Sequence, residues 1–338
     1  MKAVGYSQSL PITDPQSLRD ITAEMPEPGP RDLRVAVKAV SVNPVDTKVR
    51  MRAAPQAGEP AKILGYDAAG VVEAVGAEVS LFKPGDEVFY AGSIARPGTN
   101  AEFHLVDERI VGRKPKSLGF AQAAALPLTS ITAWEMLFDR LGVDPGKKNE
   151  DRALLVIGGG GGVGSIMIQI ARKRTALTVI ATASRPETKA WCEKLGAHHV
   201  IDHSKPLAEQ LKAIGHANVA LIAGVTGTDQ SGPQIADIVA PQGKFVLIDD
   251  PNAFDIMPLK RKAASVHWES MFTRAIFHTP DMIEQHKLLN AVADMVDAGE
   301  IVTTAAQELS PINAANLRKA HAQIETGTTI GKVVVHGW

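Results

Sequence analysis

Five consecutive glycines, Gly158 to Gly162, follow the apolar run ALLVI and open the segment VGSIMIQIARKR. Within them lies G-x-G-x-x-G, at Gly159, Gly161 and Gly164. A β-carbon at such positions would keep the backbone away from a pyrophosphate and the helix away from its strand, while the amides of the helix N-terminus face the negative charge. The pattern is weak alone and gains weight from its surroundings, because strand, loop, helix and next strand occur in that order. Downstream the units repeat: LTVIATAS, PETKAWCEKLGA, HHVIDH, PLAEQLKAIG, ANVALIAG, QSGPQIADIVAP and GKFVLID alternate strand with helix. Fully apolar strands between helices predict a parallel sheet covered on both faces. The expected class is α/β with a dinucleotide held on Gly159, Gly161, Gly162, Val163 and Gly164.

The end of the second strand indicates which dinucleotide. An NAD site places a carboxylate about 20 residues past the loop to bond the ribose 2'-hydroxyl, and here Thr182, Ala183, Ser184 and Arg185 stand there. Arg185 forks onto a 2'-phosphate, Ser184 donates to it, and Lys189 adds charge one helical turn further on. The expectation is NADPH, against the plain alternative of a solvated arginine at a helix start.

The first third has another texture. LRVAVKAVSV alternates bulky apolar residues, and AAGVVEAV, DEVFYAG and AEFHLVDERIVG are short runs bounded by turn residues, so this part reads as β-rich. From Phe120 helix formers take over, with Pro127 interrupting them. With 338 residues, 45% hydrophobic and 22% charged, the chain supports about two domains and a sizeable core. Lys plus Arg number 36 against 37 Asp plus Glu, which leaves no electrostatic footprint for nucleic acid or an anionic membrane. The opening MKAVGYSQSLPITD lacks the apolar run of a signal peptide, and a cytoplasmic protein is expected. The single cysteine, Cys192, excludes an internal disulfide and a multi-cysteine metal centre.

SVNPVDTKVR, ILGYDAAGVVEAVG, FKPGDEV, AAALPLTSITAWEML, LGAHHVIDH and the terminal IGKVVV, together with the glycine loop, resemble the medium-chain dehydrogenase/reductase superfamily. Within it the likeness is to the zinc-free quinone oxidoreductase-like branch, often labelled zinc-type alcohol dehydrogenase-like. It implies a GroES-like β-rich catalytic domain from residues 1–126 and 279–338, and a doubly wound parallel-sheet Rossmann domain from 127–278, meeting at a cleft. Zinc-dependent members carry Cys where Asn43 lies, Gly-His-Glu at Gly65, Tyr66 and Asp67, and another Cys near Leu128. None of those side chains is kept, and no zinc is expected. The resemblance also implies that Asn43 and Asp46 sit beside the nicotinamide, with Thr132 contacting it and Thr129 nearby. The backbone at Ile248 and Asp249 would hold the carboxamide, Lys332 would complete the pocket, and His203 would stack on adenine. Each has a bland alternative: a turn at Asn43, a cap at Asp46 or the threonines, a loop histidine, a strand-edge charge at Lys332.

Without a Lewis acid, alcohol oxidation is hard and reduction of an electron-poor carbon is easier. The expected reaction is NADPH-dependent hydride transfer to a quinone or an α,β-unsaturated carbonyl, whose oxygen needs a hydrogen-bond donor. Asn43, Asp46 and Tyr66 are the candidate catalytic residues, Tyr66 being either that donor or an aromatic wall. An enoyl-thioester or alkenal reductase and a non-catalytic NADPH-binding protein remain alternatives. HWESMFTRAIFH reads as an edge strand pairing with a second subunit, as relatives do in homodimers, or as a substrate-lining loop bearing Met271 and Phe272.

Overall fold

The structure, a computed structural model, describes residues 1–55, 58, 60–146 and 152–338. It divides into two compact units, residues 1–131 with 272–338, and residues 132–271. The sequence-based limits at 126/127 and 278/279 thus move by several residues at each crossing. The first turn of the helix beginning at Pro127 is tied to the first unit by the bond from Leu128 N–H to the Asp67 carboxylate, at 2.7 Å. Phe272 joins that unit through its ring contact with Tyr66.

The first unit begins with β1 (Lys2–Tyr6), β2 (Arg19–Thr22) and the long β3 (Asp32–Val42), followed by α1 (Pro44–Arg52). Next come β4 (Lys62–Ile63), β5 (Ala68–Val75), β6 (Glu87–Tyr90), β7 (Phe103–Asp107) and β8 (Val111–Arg113), then the short α2 (Phe120–Ala124). Alternation along β3 buries Leu33, Val35 and Val37 on one face, as period-two patterning requires. The bend before β7 is held by His104, stacked on Tyr90 and bonded to the Tyr90 hydroxyl (3.2 Å) and the Pro97 carbonyl (2.9 Å). Burial pushes that imidazole down to about 4, so it is neutral there.

Pro127 ends the preceding segment and starts α3 (Pro127–Trp134), which continues as a π-helical turn, Glu135–Arg140. The second unit then alternates strand and helix as far as β13: β9 (Ala153–Ile157), α4 (Gly162–Arg174), β10 (Thr178–Thr182), α5 (Pro186–Lys194), β11 (His199–Ile201), α6 (Leu207–Ala213), β12 (Val219–Gly224), α7 (Thr228–Ile238) and β13 (Val239–Leu247), with a 3-10 turn, Met257–Lys262, leading to β14 (Ser265–Trp268). The six strands are all parallel and lie in the order β11-β10-β9-β12-β13-β14. That order reverses direction between β9 and β12, where open α/β sheets bind ligands beyond the strand C-termini. One face of this sheet is closed by Leu207, Leu211, Ile235 and Ile238 of α6 and α7, packed on Leu155, Ile157, Ile222 and Phe245. Each such side chain contributes roughly 1.5–3 kcal/mol of burial.

HWESMFTRAIFH resolves into two elements, β14 at the sheet edge and α8 (Thr273–Phe277). The first unit, rejoined at Phe272, continues from α8 through α9 (Glu284–Asp297), β15 (Ala305–Leu309), α10 (Ala314–Glu325) and β16 (Lys332–His336). β16 pairs antiparallel with β3, in the register Val333↔Val42, so both ends of the chain build one seven-stranded sheet. Among the described residues, no helix is long and apolar enough to cross a membrane.

Candidate active site

In the first unit the chemistry gathers where β3 runs into α1. Gly65 turns the chain with φ +114°, and a β-carbon there would lie 2.4 Å from Thr99 Oγ1. Only glycine fits that turn, which sends Tyr66 and Asp67 into the interior. Asp67 Oδ2 accepts from Ser41 Oγ (2.9 Å) and Asn43 Nδ2 (2.7 Å), and Oδ1 accepts from Leu128 N–H. Lys332, the first residue of β16, brings its ammonium 3.3 Å from Asp67 Oδ2 and donates to Val42 O (2.8 Å) and Asn43 Oδ1. All four side chains are buried.

Asp46 stands beside this group. It accepts from Asn43 N–H (2.8 Å) on one oxygen and from Gly65 N–H (3.0 Å) on the other. Burial pushes its carboxyl up to about 7, with neighbouring Asp67 adding to the rise; the two N–H bonds and Lys332 pull the other way. Burial likewise raises Asp67 and lowers Lys332, each opposed by the attraction between them. Tyr66 is 1% exposed, its ring edge-on to Phe272 at 5.4 Å. Among the described residues its hydroxyl has no hydrogen-bond partner, and burial, with Asp46 nearby, holds the phenol above its ordinary value.

In the second unit the glycine loop leaves β9 at the reversal of strand order. Thr182 ties it down: its hydroxyl accepts from Gly158 N–H (3.0 Å) and its carbonyl from Gly159 N–H (3.0 Å). His203 Nδ1 lies 3.1 Å from that same hydroxyl, so the ring is tied to the loop through Thr182. A β-carbon on Gly164 would meet Gly158 O at 2.3 Å, and one on Gly159 would meet Ala181 Cβ at 2.8 Å. One on Gly161 would find only Gly158 O, at 3.8 Å. The protein itself therefore demands Gly159 and Gly164, whereas Gly161 leaves open space of the kind a pyrophosphate needs, at the N-cap of α4. Gly162 and Val163 begin that helix. These residues fit a dinucleotide.

The other expected site residues fall as follows. Ser184 and Lys189 are exposed on either side of the start of α5, and Arg185 pairs with Glu187 at 3.3 Å. That carboxylate, two residues past the arginine, is the one the sequence reading passed over. Ile248 N–H bonds Gly224 O (3.2 Å), and the Asp249 carboxylate caps α7 through Thr228 N–H and Oγ1. Thr129 and Thr132 are buried on α3, Thr129 Oγ1 donating to Leu126 O at 3.2 Å. Lys332 is no strand-edge charge: burial and three oxygen partners put it inside the first unit's cluster. Sequence reasoning missed Ser41 and Asp67 as members of that cluster; the one signal was a carboxylate inside the apolar run ILGYDAAGVV.

Comparison with known proteins agrees with this geometry. Residues 29–131 match the alcohol dehydrogenase GroES-like domain, and residues 195–335 match a zinc-binding dehydrogenase domain. A zinc-type alcohol dehydrogenase-like protein of Staphylococcus aureus is 40% identical, over 99% of this chain and 100% of its own. A crystal structure described as a putative zinc-dependent alcohol dehydrogenase from Rhizobium etli is 63% identical, with a TM-score of 0.96, over 100% of this chain and 98% of that one. A quinone oxidoreductase from Pseudomonas syringae is 27% identical, with a TM-score of 0.84, over 99% of both chains. The chain belongs to the medium-chain dehydrogenase/reductase superfamily, in its quinone oxidoreductase-like branch, and is an oxidoreductase of that family.

Two outcomes follow from this geometry. Gly164→Ala should cost about 1–3 kcal/mol of stability through overpacking, whereas Gly161→Ala should melt with the wild type and lose dinucleotide affinity; calorimetry and titration separate the two. A folded state that raises the Asp46 carboxyl binds its proton more tightly than the unfolded chain does. That contribution is full below the ordinary value of 3.8 and is lost as pH rises towards about 7. Between about pH 4 and pH 8, the thermal midpoint of wild type minus that of Asp46→Asn should therefore shrink, and a constant difference contradicts the assignment.

Proposed function

We propose that this protein reduces a quinone or an α,β-unsaturated carbonyl compound with NADPH. The observation that carries the reading is Tyr66, a buried phenol whose burial keeps it protonated and whose hydroxyl is unspent. When bound, the reduced nicotinamide supplies a hydride. As the acceptor carbon takes it, negative charge collects on the carbonyl oxygen, and Tyr66 donates a hydrogen bond to that oxygen. Such preorganised donors act on charge that develops in the transition state. Asn43 and Asp46 position the segment around Tyr66: the Asp46 carboxyl accepts the Asn43 N–H and the Gly65 N–H directly before the tyrosine, and the Asn43 carboxamide donates to Asp67 directly after it. The likeness to the Pseudomonas syringae quinone oxidoreductase supports the acceptor class.

On the cofactor side, the amides at the start of α4 would hold the pyrophosphate, His203 would serve the adenine, and Ser184 with Arg185 would hold the 2'-phosphate, Lys189 adding charge. Thr129, Thr132 and the backbone at Ile248 and Asp249 serve the nicotinamide end. The same reading has a homodimer formed on the open edge of β14, where Trp268 is 63% exposed.

Following NADPH absorbance with 9,10-phenanthrenequinone, 1,4-benzoquinone and a simple enone tests the whole reading. Turnover of at least one is expected; tight NADPH binding with none reduced overturns it in favour of a non-catalytic binder. Tyr66→Phe should lower kcat by about 100-fold or more with NADPH affinity kept, and unchanged turnover makes the ring a wall only. Arg185→Ala should weaken NADPH about 10-fold, the low end for a hydrogen bond to a charged group of roughly 1.5–3 kcal/mol, because Glu187 competes for the guanidinium. NADH affinity should not move.

A further inference from the structure

The zinc in the names of the relatives implies a metal, and the first unit is where its donors would have to be. The residues there do not fit one. Among the described residues no group of three or more His, Cys, Asp or Glu side chains is placed to hold a metal ion. At the cluster itself the donors on offer are oxygens of Ser41, Val42, Asn43 and Asp67, with the Asp46 carboxyl beside them, whereas zinc favours imidazole and thiolate.

Those oxygens already hold a cation. Lys332 has three N–H groups and no lone pair, and three oxygens meet them: Val42 O, Asn43 Oδ1 and Asp67 Oδ2. Asp67 Oδ2 has no acceptor capacity to spare, because Ser41 and Asn43 also donate to it, while Oδ1 accepts from Leu128 N–H. A zinc ion bound to Oδ2 would sit about 2.0–2.2 Å from it. The ammonium nitrogen is already 3.3 Å from the same oxygen, so two cations would share one coordination space with one carboxylate between them. The lysine cannot readily withdraw. It is 2% exposed, its own N–H is bonded to Thr304 O at 2.9 Å, and the following residues are locked in register with β3.

We propose that the Lys332 ammonium is a tethered cation that occupies the oxygens of the Asn43–Asp67 cluster, so that the cluster takes up no divalent ion, and that deleting it leaves a site for a small alkylammonium. The same ammonium fixes the Asn43 carboxamide, taking its oxygen while Asp67 takes its nitrogen. The proposal goes beyond the reductase reading and does not depend on which acceptor is reduced.

The test has two arms. In the first, wild-type protein is dialysed against zinc chloride and then against metal-free buffer, and bound zinc is measured by elemental analysis. Sub-stoichiometric zinc with an unmoved thermal midpoint is expected; one retained equivalent overturns the proposal, and this arm needs no variant to fold. In the second, the thermal midpoints of wild type and Lys332→Ala are compared in propylammonium chloride and in sodium chloride at equal ionic strength. The variant should melt lower in sodium chloride and regain much of the loss in propylammonium, while the wild type is indifferent to the exchange. A merely space-filling lysine would give a variant that responds to both salts alike, and that result sinks the tethered-cation role.

Discussion

The buried ion pair between Lys332 and Asp67 holds together parts of the chain that no local rule would join. Lys332 lies near the C-terminus, Asp67 follows the Gly65 turn, and Asn43 stands between β3 and α1. Removing one partner of such a pair costs about 3–5 kcal/mol, because the other charge is left buried without compensation. With β16 against β3 and Val333 opposite Val42, the lysine that precedes Val333 reaches the Asn43 corner. Tyr66 is positioned by the same arrangement, since it stands between Gly65, which bonds Asp46, and Asp67, which bonds Lys332.

The second unit rests on a different constraint. Its glycine loop is shaped by steric demand from within the protein at Gly159 and Gly164, and left open at Gly161. Thr182 couples the loop to the neighbouring strand and to His203 through a single hydroxyl. A loop fixed on its inner side, with room on its outer side at Gly161, suits an anion at the helix N-terminus.

How much of this was legible in the sequence follows from how far apart the interacting residues lie. The Rossmann unit was legible because period-two and helical apolar patterns, glycine spacing and strand order are local signals that repeat. The boundaries moved because Leu128 and Phe272 belong to the first unit through contacts with Asp67 and Tyr66, residues far away in sequence. Lys332 could be read as a strand-edge charge because GKVVV carries no sign of what its side chain meets. Only the folded register shows that it meets Val42, Asn43 and Asp67. Glu187 was passed over for the opposite reason: it lies next to Arg185, but one helical step beyond the strand end where a ribose-binding carboxylate is sought.

The chemistry follows from how the charges are used. A divalent ion acts as a Lewis acid because it keeps an open coordination position for the reacting oxygen. An ammonium whose three N–H groups all meet protein oxygens has no such position, and its single charge is answered by the carboxylate 3.3 Å away. Lys332 thus organises the site without polarising a substrate. In the reaction proposed above, a developing oxyanion is met by a neutral donor, and in the first unit Tyr66 has that character: protonated by burial, edge-on to Phe272, and near Asp46, whose carboxyl is itself held towards its neutral form. A neutral donor stabilises an enolate or a reduced quinone oxygen by hydrogen bonding but does little to ionise an alcohol. That asymmetry is why the proposed reading is reduction of a polarised acceptor and not oxidation of an alcohol.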